Sequence, residues 1–253
     1  MSKISHILRY PVKGLPAQSC KDGMLEPDKG LVGDRLYAIS KSADKPYDSW
    51  AKKSYFLQWM THPKLARLRC VFQADTGYLQ LTDEDRLLFE GRLDAPEEAE
   101  ALADILHSFL DLEEKPLLHK AQKGSFTDQS ETVISLGQTS SLAAVNGDIG
   151  EPKDLFMARF RLNIWLEGGT AFEELDWVGR RARLGSAELY FTEPVGRCQA
   201  INASPATGRK RQDEALSDLT QLLRSTYDHD CLGVFARIEK AGHFSIHDQL
   251  IFI

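Results

Sequence analysis

Hydrophobic and polar positions in the first third of the chain alternate in short runs separated by glycines. Residues 5–12, 35–40, 65–73, 78–82 and 86–89 carry the β-branched, aromatic and alternating residues of strands. Gly23, Gly30, Gly33, Gly77 and Gly91 supply turns between them. The period then changes. From Pro96 the stretch PEEAEALADILHSFLDL puts acids in a first turn, and Ala99, Leu102, Ala103, Leu106, Phe109 and Leu110 recur at helical spacing. That spacing predicts one amphipathic helix.

Residues 120–129 (KAQKGSFTDQ) are polar, and apolar patterning resumes at Thr132. We therefore place a boundary near residue 122 and expect two units, 1–121 and 122–253. In the second, strands are expected over 161–166, 181–184, 187–192, 234–239 and 250–253, with helices over 139–145 and 214–224. The balance predicts a mixed α/β, β-rich fold with barrel-like β structure and peripheral helices. No GxGxxG lies between a strand and a helix, and no GxxxxGK[ST] occurs, so the dinucleotide and P-loop classes have no support.

Composition narrows the function classes. The chain has 253 residues, 42% of them hydrophobic, which suffices for a sizeable core. Its formal net charge of -6 argues against nucleic acid as a partner, since phosphate neutralisation needs a dense basic face. No apolar run approaches the roughly 20 residues that cross a bilayer, and the opening MSKISHILRY lacks a secretory h-region, so we expect no membrane association and a cytoplasmic protein. Cys20, Cys70, Cys198 and Cys231 form no CxxC pair, and the histidines form no HExxH, so no zinc or iron–sulfur site is legible.

The candidate chemistry falls in three segments. In YFTEPVGRCQAINASPATGRK, residues 190–210, a strand runs into a turn that presents Arg197 and Cys198. Arg197, with Arg209 and Lys210 as further candidates, would favour the thiolate, the form that ligates soft metals; the alternative is a small buried apolar cysteine. Cys70 and Cys231 sit in or beside apolar strand patterns and Cys20 in a polar loop, so neither motif nor charge distinguishes them. In YPVKG, 10–14, and GLVGDR, 30–35, Lys13 and Arg35 stand at strand ends beside glycine turns and can grip an anion or simply face solvent. In RFRLN, 159–163, Arg161 and Asn163 enter an apolar strand, and alternation leaves open whether they face a site or water.

These motifs in this order resemble the MOSC family, named for the C-terminal domain of molybdenum-cofactor sulfurase, and within it the branch of the mitochondrial amidoxime-reducing component and its bacterial relatives. The resemblance spans essentially the whole chain and implies a β-rich N-terminal MOSC subdomain followed by a barrel-like MOSC domain. It implies a molybdenum cofactor (molybdopterin) whose metal is ligated by Cys198, which would carry catalysis. It further implies that Lys13 and Arg35 hold the anionic end, that Arg161 and Asn163 contact the cofactor, that Arg197 accompanies the cysteine, and that Thr132 matches a small hydroxyl residue. The chain departs from the pattern at Gly14 and Gly196, where relatives carry serine, at His247, where they favour glycine, and at Ser204, where they carry aspartate.

The activity so implied is a molybdenum-dependent oxidoreductase that reduces N-hydroxylated compounds. With no cluster-type cysteine spacing, its electrons would come from a separate electron-transfer protein. The same thiolate would also serve a sulfur or cofactor carrier with a persulfide on Cys198, and a noncatalytic anion-binding module is a third possibility that Gly14 and Gly196 keep open. Pyridoxal phosphate is not expected, because no lysine beyond Lys13 has the context for a Schiff base.

Overall fold

A computed structural model describes residues 2–42, 47–147 and 149–253. The first half gives strands β1 (Lys3–Arg9), β2 (Val12–Lys13), β3 (Gln18–Cys20), β4 (Asp22–Glu26), β5 (Gly30–Leu31), β6 (Tyr37–Ser40), β7 (Leu68–Gln73), β8 (Tyr78–Asp83) and β9 (Arg86–Arg92), then helix α1 (Pro96–Leu110) and β10 (Leu117–Lys120). The second gives β11 (Val133–Gln138), α2 (Thr139–Asn146), α3 (Lys153–Phe160), β12 (Ile164–Glu167), β13 (Arg181–Leu184), β14 (Ala187–Gly196), α4 (Leu219–Tyr227), β15 (Cys231–Lys240), β16 (Gly242–Ser245) and β17 (Leu250–Phe252). The fold is the mixed α/β, β-rich class that the patterning predicts, with a curled, half-barrel main sheet. No helix among the described residues is long and apolar enough to cross a membrane.

The main sheet runs β17-β13-β14-β15-β11-β12-β1-β3, and its strands are antiparallel except for the pair β11–β12. Its concave side closes over Ile134, Leu136, Ile164, Leu189, Phe191, Val234 and Ala236, with Leu25, Leu31 and Phe244 from the small sheet β16-β4-β5 as the lid of that core. The other face carries α2, α3 and α4, whose Leu142, Phe156 and Leu223 pack with Trp165 and Leu232 of the sheet. A second core lies between the β7-β8-β9 meander, β6 and α1, where Leu102 and Leu106 of the predicted amphipathic stripe are buried.

Strand pairing crosses the sequence boundary near residue 122. β1 pairs with β12 (Ile7 opposite Ile164) and β4 with β16 (Leu25 opposite Gly242), so β1, β3, β4 and β5 complete the sheets of the second half, whereas β2 pairs with β6. The chain then leaves for the meander core and returns through residues 121–132. A cleft forms where the two cores meet along this crossing.

Several predicted elements shift for identifiable reasons. The strand expected over 5–12 breaks after Arg9, because Pro11 lacks an N–H for the ladder; the chain turns there and β2 joins β6 in another sheet. The strand expected from 65 begins at Leu68, after a 3₁₀ turn started by Pro63. The helix expected over 214–224 begins at Leu219, where Asp218 caps it. The strand expected over 161–166 begins only at Ile164; the residues before it close α3, which the apolar run had concealed, and Arg161 sits in a left-handed C-cap with φ 52°. Cys20 lies in β3 rather than in a loop. His247 occupies a left-handed turn (φ 76°), the conformation for which glycine is the usual residue.

Candidate functional site

A cavity of about 570 Å³ opens along the cleft between the two cores. Lys13 and Arg35 reach it from the first half; Arg161, Asn163, Arg197 and Cys198 reach it from the second. Six of the seven residues singled out in the sequence thus converge from four separate chain segments. Arg209 and Lys210 are not among the residues that line it; they belong to the turn closed by the Ser204 N–H to the Arg209 carbonyl at 2.8 Å.

Thr132 is the exception, and register explains it. Strand alternation puts Val133 and Ser135 of β11 on the cavity side, while Ile134 and Leu136 point into the core beneath the small sheet. Thr132 has the parity of Ile134, and its hydroxyl faces the Asp28 carbonyl at 3.5 Å. The small hydroxyl on the cavity wall is Ser135, whose Oγ donates to Asn163 Oδ1 at 3.0 Å.

Asn163 is the hub of the floor. It is 1% exposed, and its Oδ1 also accepts from the Ser135 N–H at 3.3 Å and from Arg35 Nη1 at 3.4 Å, while Nδ2 donates to the Leu8 carbonyl at 3.2 Å. Its amide thus ties β11, β1 and Arg35 together. Arg35 is likewise committed to the protein, with Nη1 on the Asp34 carboxylate and Nη2 on the Arg161 carbonyl at 3.2 Å. Burial acts against its charge, but Asp34 and Tyr10 outweigh that and hold its pKa above the ordinary value.

Arg161 is held differently. Its guanidinium stacks on Tyr10 at 4.4 Å and on Trp59 at 4.5 Å, and its Nη1 is buried without a partner. Burial pulls its pKa down to about 10, with Tyr10 opposing and Arg35 adding to the fall. The group still carries its charge at neutral pH, at a cost that an anion in the cavity would relieve. Tyr10 and Trp59 are the functional surroundings that sequence reasoning passed over. Tyr10 stands inside YPVKG, whereas Trp59 belongs to no motif and reaches Arg161 through the tertiary fold alone.

Cys198 follows β14 and is half-buried, at the start of the 3₁₀ turn Gln199–Asn202. Arg197 anchors this bend: its Nη1 donates to the Phe160 carbonyl at 2.6 Å and its Nη2 to the Leu232 carbonyl, leaving Nε buried and unpartnered. Burial lowers the Arg197 pKa to about 10, against the favourable presence of Cys198 and Tyr10. Cys70, by contrast, is packed in the meander core, and burial pushes its thiol up to about 12. Among the described residues, Cys198 is the cysteine that lines the cavity.

Two glycines in the site answer to different constraints. Gly14 has φ 88°, and a Cβ there would collide with the Leu57 carbonyl, so the serine of relatives does not fit this backbone. At Gly196 the nearest atom to an added Cβ is Asp230 Oδ1 at 3.9 Å, so a side chain has room.

The bend that carries Cys198 rests on Asp218. This carboxylate caps α4 through the Thr220 and Gln221 N–H groups at 2.8 and 3.3 Å, and accepts from Asn202 Nδ2 and Gln199 Nε2, both at 3.0 Å. Burial raises its pKa, but the hydrogen bonds from Thr220, Asn202 and Gln199 outweigh it and hold the carboxyl well below the usual range. A depressed carboxyl pKa stabilises the fold fully above the unfolded value of about 3.9, and that stabilisation is lost as pH falls through the folded value. Asp218→Asn is therefore expected to cost about 1–2 kcal/mol at neutral pH. Denaturant titrations at successive pH values should show the gap to wild type narrowing below about pH 4; a gap that stays constant to pH 2 would contradict the assignment.

A family model described as the MOSC domain matches residues 122–250. The molybdenum cofactor sulfurase of Drosophila erecta is 31% identical over 130 residues, 49% of this chain; the match covers 16% of that longer protein. Among solved structures, YiiM from Geobacillus stearothermophilus aligns with 18% identity and a TM-score of 0.36 over 47% of this chain and 53% of its own. YiiM from Escherichia coli aligns with 19% identity and the same TM-score of 0.36, over 47% and 53%. The YUAD protein from Bacillus subtilis aligns over 99% of this chain and 94% of its own with 9% identity and a TM-score of 0.48.

Proposed function

The chain belongs to the MOSC family, and from that membership we propose that its cavity holds a molybdenum cofactor ligated by Cys198, in an oxidoreductase that reduces N-hydroxylated compounds with electrons from a separate redox partner. The observation that carries this reading is the pairing of a cavity thiol with unsatisfied cationic donors. Arg161 Nη1 and Arg197 Nε are buried without partners, and the lining has seven cationic side chains against two carboxylates, in a chain whose net charge is -6. Buried polar atoms of native proteins are mostly paired, so two unpartnered guanidinium nitrogens on residues that line the same cavity as Cys198 support a ligand with several acceptors and negative charge.

The residues present fit the group. Cys198 offers a polarisable thiolate donor suited to a soft metal site. Arg161, stacked on its two rings, would offer its unpartnered N–H to an acceptor of the group, and Asn163, fixed by Ser135, would help to hold it. Tyr10 keeps its proton, since burial lifts its pKa to about 12, and donates to the Leu162 carbonyl at 3.2 Å, which sets the height of the Arg161 stack. When bound, the cofactor supplies the two-electron chemistry that removes oxygen from an N–O bond. The chain's part is to bind, orient and electrostatically bias it.

The sulfurase likeness favours a second reading, a carrier that holds a persulfide on Cys198. The test separates them. The chain is purified from a host that makes the cofactor and from one that cannot, and molybdenum is measured by elemental mass spectrometry, pterin by fluorescence after oxidation, and Cys198 by peptide mass. Near-stoichiometric metal and pterin in the first host alone is the expected result. Persulfide on Cys198 with no donor oxidation upon adding N-hydroxylated substrate would favour the carrier. Absence of metal and pterin, in a host shown to load another molybdenum protein, would sink the cofactor reading.

A further inference from the structure

Lys13 enters the cavity with its ammonium already saturated. It has three N–H donors and no acceptor. They go to the Phe126 carbonyl at 2.8 Å, the Thr127 carbonyl at 3.2 Å and Asp128 Oδ1 at 2.6 Å. The Phe126 carbonyl is a fixed partner, because that residue is buried and its N–H is bonded to the Arg35 carbonyl at 2.9 Å. Asp128 is not fixed in this way: its side chain is 54% exposed, whereas that of Lys13 is 7% exposed. Its second oxygen lies 4.0 Å from Lys53 Nζ, so one carboxylate bridges two lysines on the cavity wall.

Asp128 also sits where the cavity's positive potential converges. Burial within the walls pushes its pKa up, but Lys13, Lys53 and Arg35 outweigh this and hold the carboxyl below the usual range. Its charge reaches Arg161 and Arg35 in turn. The anion position of the cavity is therefore filled by a residue of the chain.

We propose that Asp128 is a resident counterion, whose carboxylate holds the anion position at Lys13 and Lys53 and which a phosphate group must displace to bind there. This rests on the reading of the cavity as an anionic cofactor's site. The physical grounds are donor supply and charge. Lys13 has no spare N–H for a ligand while Asp128 stays, and two anions in one low-dielectric position repel. Lys13 cannot leave, being buried under Phe56 and the 126–127 carbonyls, but Asp128 can rotate into solvent. The device also selects. A phosphate dianion brings more charge and more acceptor oxygens than the carboxylate it replaces, whereas a carboxylate ligand or chloride gains nothing by the exchange. Without either anion the buried Lys13 charge is unsupported, since burial and the neighbouring Arg35 and Arg161 all disfavour it.

The test uses full-length wild type and Asp128→Asn, from a host unable to make the cofactor, titrated with inorganic phosphate by calorimetry at fixed pH and ionic strength. Asparagine keeps an acceptor for Lys13 but removes the charge. A competitor that holds the site about nine-tenths of the time weakens apparent affinity about tenfold, so Asp128→Asn is expected to bind phosphate about tenfold more tightly. It should also melt lower than wild type without phosphate, and the gap should close as phosphate is added. Equal or weaker phosphate binding by the variant would overturn the proposal while leaving the cavity an anion site. Failure of both proteins to bind would overturn the proposal together with the cofactor reading. If Asp128→Asn does not fold, Asp128→Ser is judged by the same criteria. Pterin retention in a cofactor-making host identifies the occupant: a rise in the variant marks the cofactor's phosphate, and no rise beside tighter phosphate binding marks free phosphate.

Discussion

Cys198→Ala is expected to strip molybdenum from protein made in a cofactor-producing host while leaving the fold within about 1 kcal/mol of wild type. The side chain is half-buried and makes no capping hydrogen bond, and the structural role of the residue lies in its backbone, whose carbonyl accepts from the Ile201 N–H at 3.2 Å. Alanine preserves that bond. Loss of groups that merely orient metal ligands costs roughly 10–100-fold in metal affinity, so loss of the proposed ligand itself should exceed that range. Pterin should fall less than metal, because Arg161, Asn163 and the cavity walls are untouched. Cys198→Ser, with a harder oxygen donor, should retain metal poorly as well. Elemental analysis of the three proteins, beside their denaturation midpoints, decides the matter: undiminished molybdenum in a folded alanine variant would remove Cys198 from the metal's coordination.

Local patterning made much of the architecture legible. The α1 stripe, with Leu102 and Leu106 buried, and the β7-β8-β9 alternation are properties of short windows, and the sequence reading places them within a few residues. α3 escaped because its eight residues run into the apolar strand β12 without a glycine or proline between them, so helix and strand read as one hydrophobic run. The identity of the cavity residues was legible through motifs, but their commitments were not. Arg35 and Arg197 spend most of their donors on Asp34, Asn163 and backbone carbonyls, and Lys13 spends all of its donors on the 126–128 segment. Apart from the adjacent Arg35–Asp34 pair, these bonds join residues more than 30 and often more than 100 positions apart, which no spacing rule reads. Thr132 stands apart for the opposite reason. Its place in the resemblance is a matter of position, while the strand's two-residue period decides which hydroxyl faces the cavity, and that is Ser135.

The ion network beneath the cysteine bend leads to the largest expected loss of stability. Arg159 of α3 is 2% exposed and binds the Glu151 carboxylate through Nε at 2.8 Å and Nη2 at 3.0 Å, while its Nη1 holds the Ile201 and Ala203 carbonyls at 3.1 and 2.9 Å. Arg211, 4% exposed, donates to the same carboxylate and to the Ser217 carbonyl at 2.8 Å. Burial lowers the Arg211 pKa, with Glu151 opposing and Arg159 adding to the fall, so the two guanidinium groups depend on a single counterion. Glu151→Ala leaves both charges buried and unpaired, and removal of one partner from a buried ion pair costs about 3–5 kcal/mol. Glu151→Gln, which keeps an acceptor, should lose less. Because Arg159 latches the carbonyls just beyond Cys198, the alanine variant should also free the bend before the fold is lost, so thiol labelling of Cys198 should quicken under conditions where Cys70 stays protected in its core. A stability loss below about 1 kcal/mol would mean that water replaces Glu151 at both guanidinium groups. Unchanged labelling despite the full loss would mean that Arg159 holds the turn without its counterion, and that the stability of the network and the geometry of the cysteine are separable.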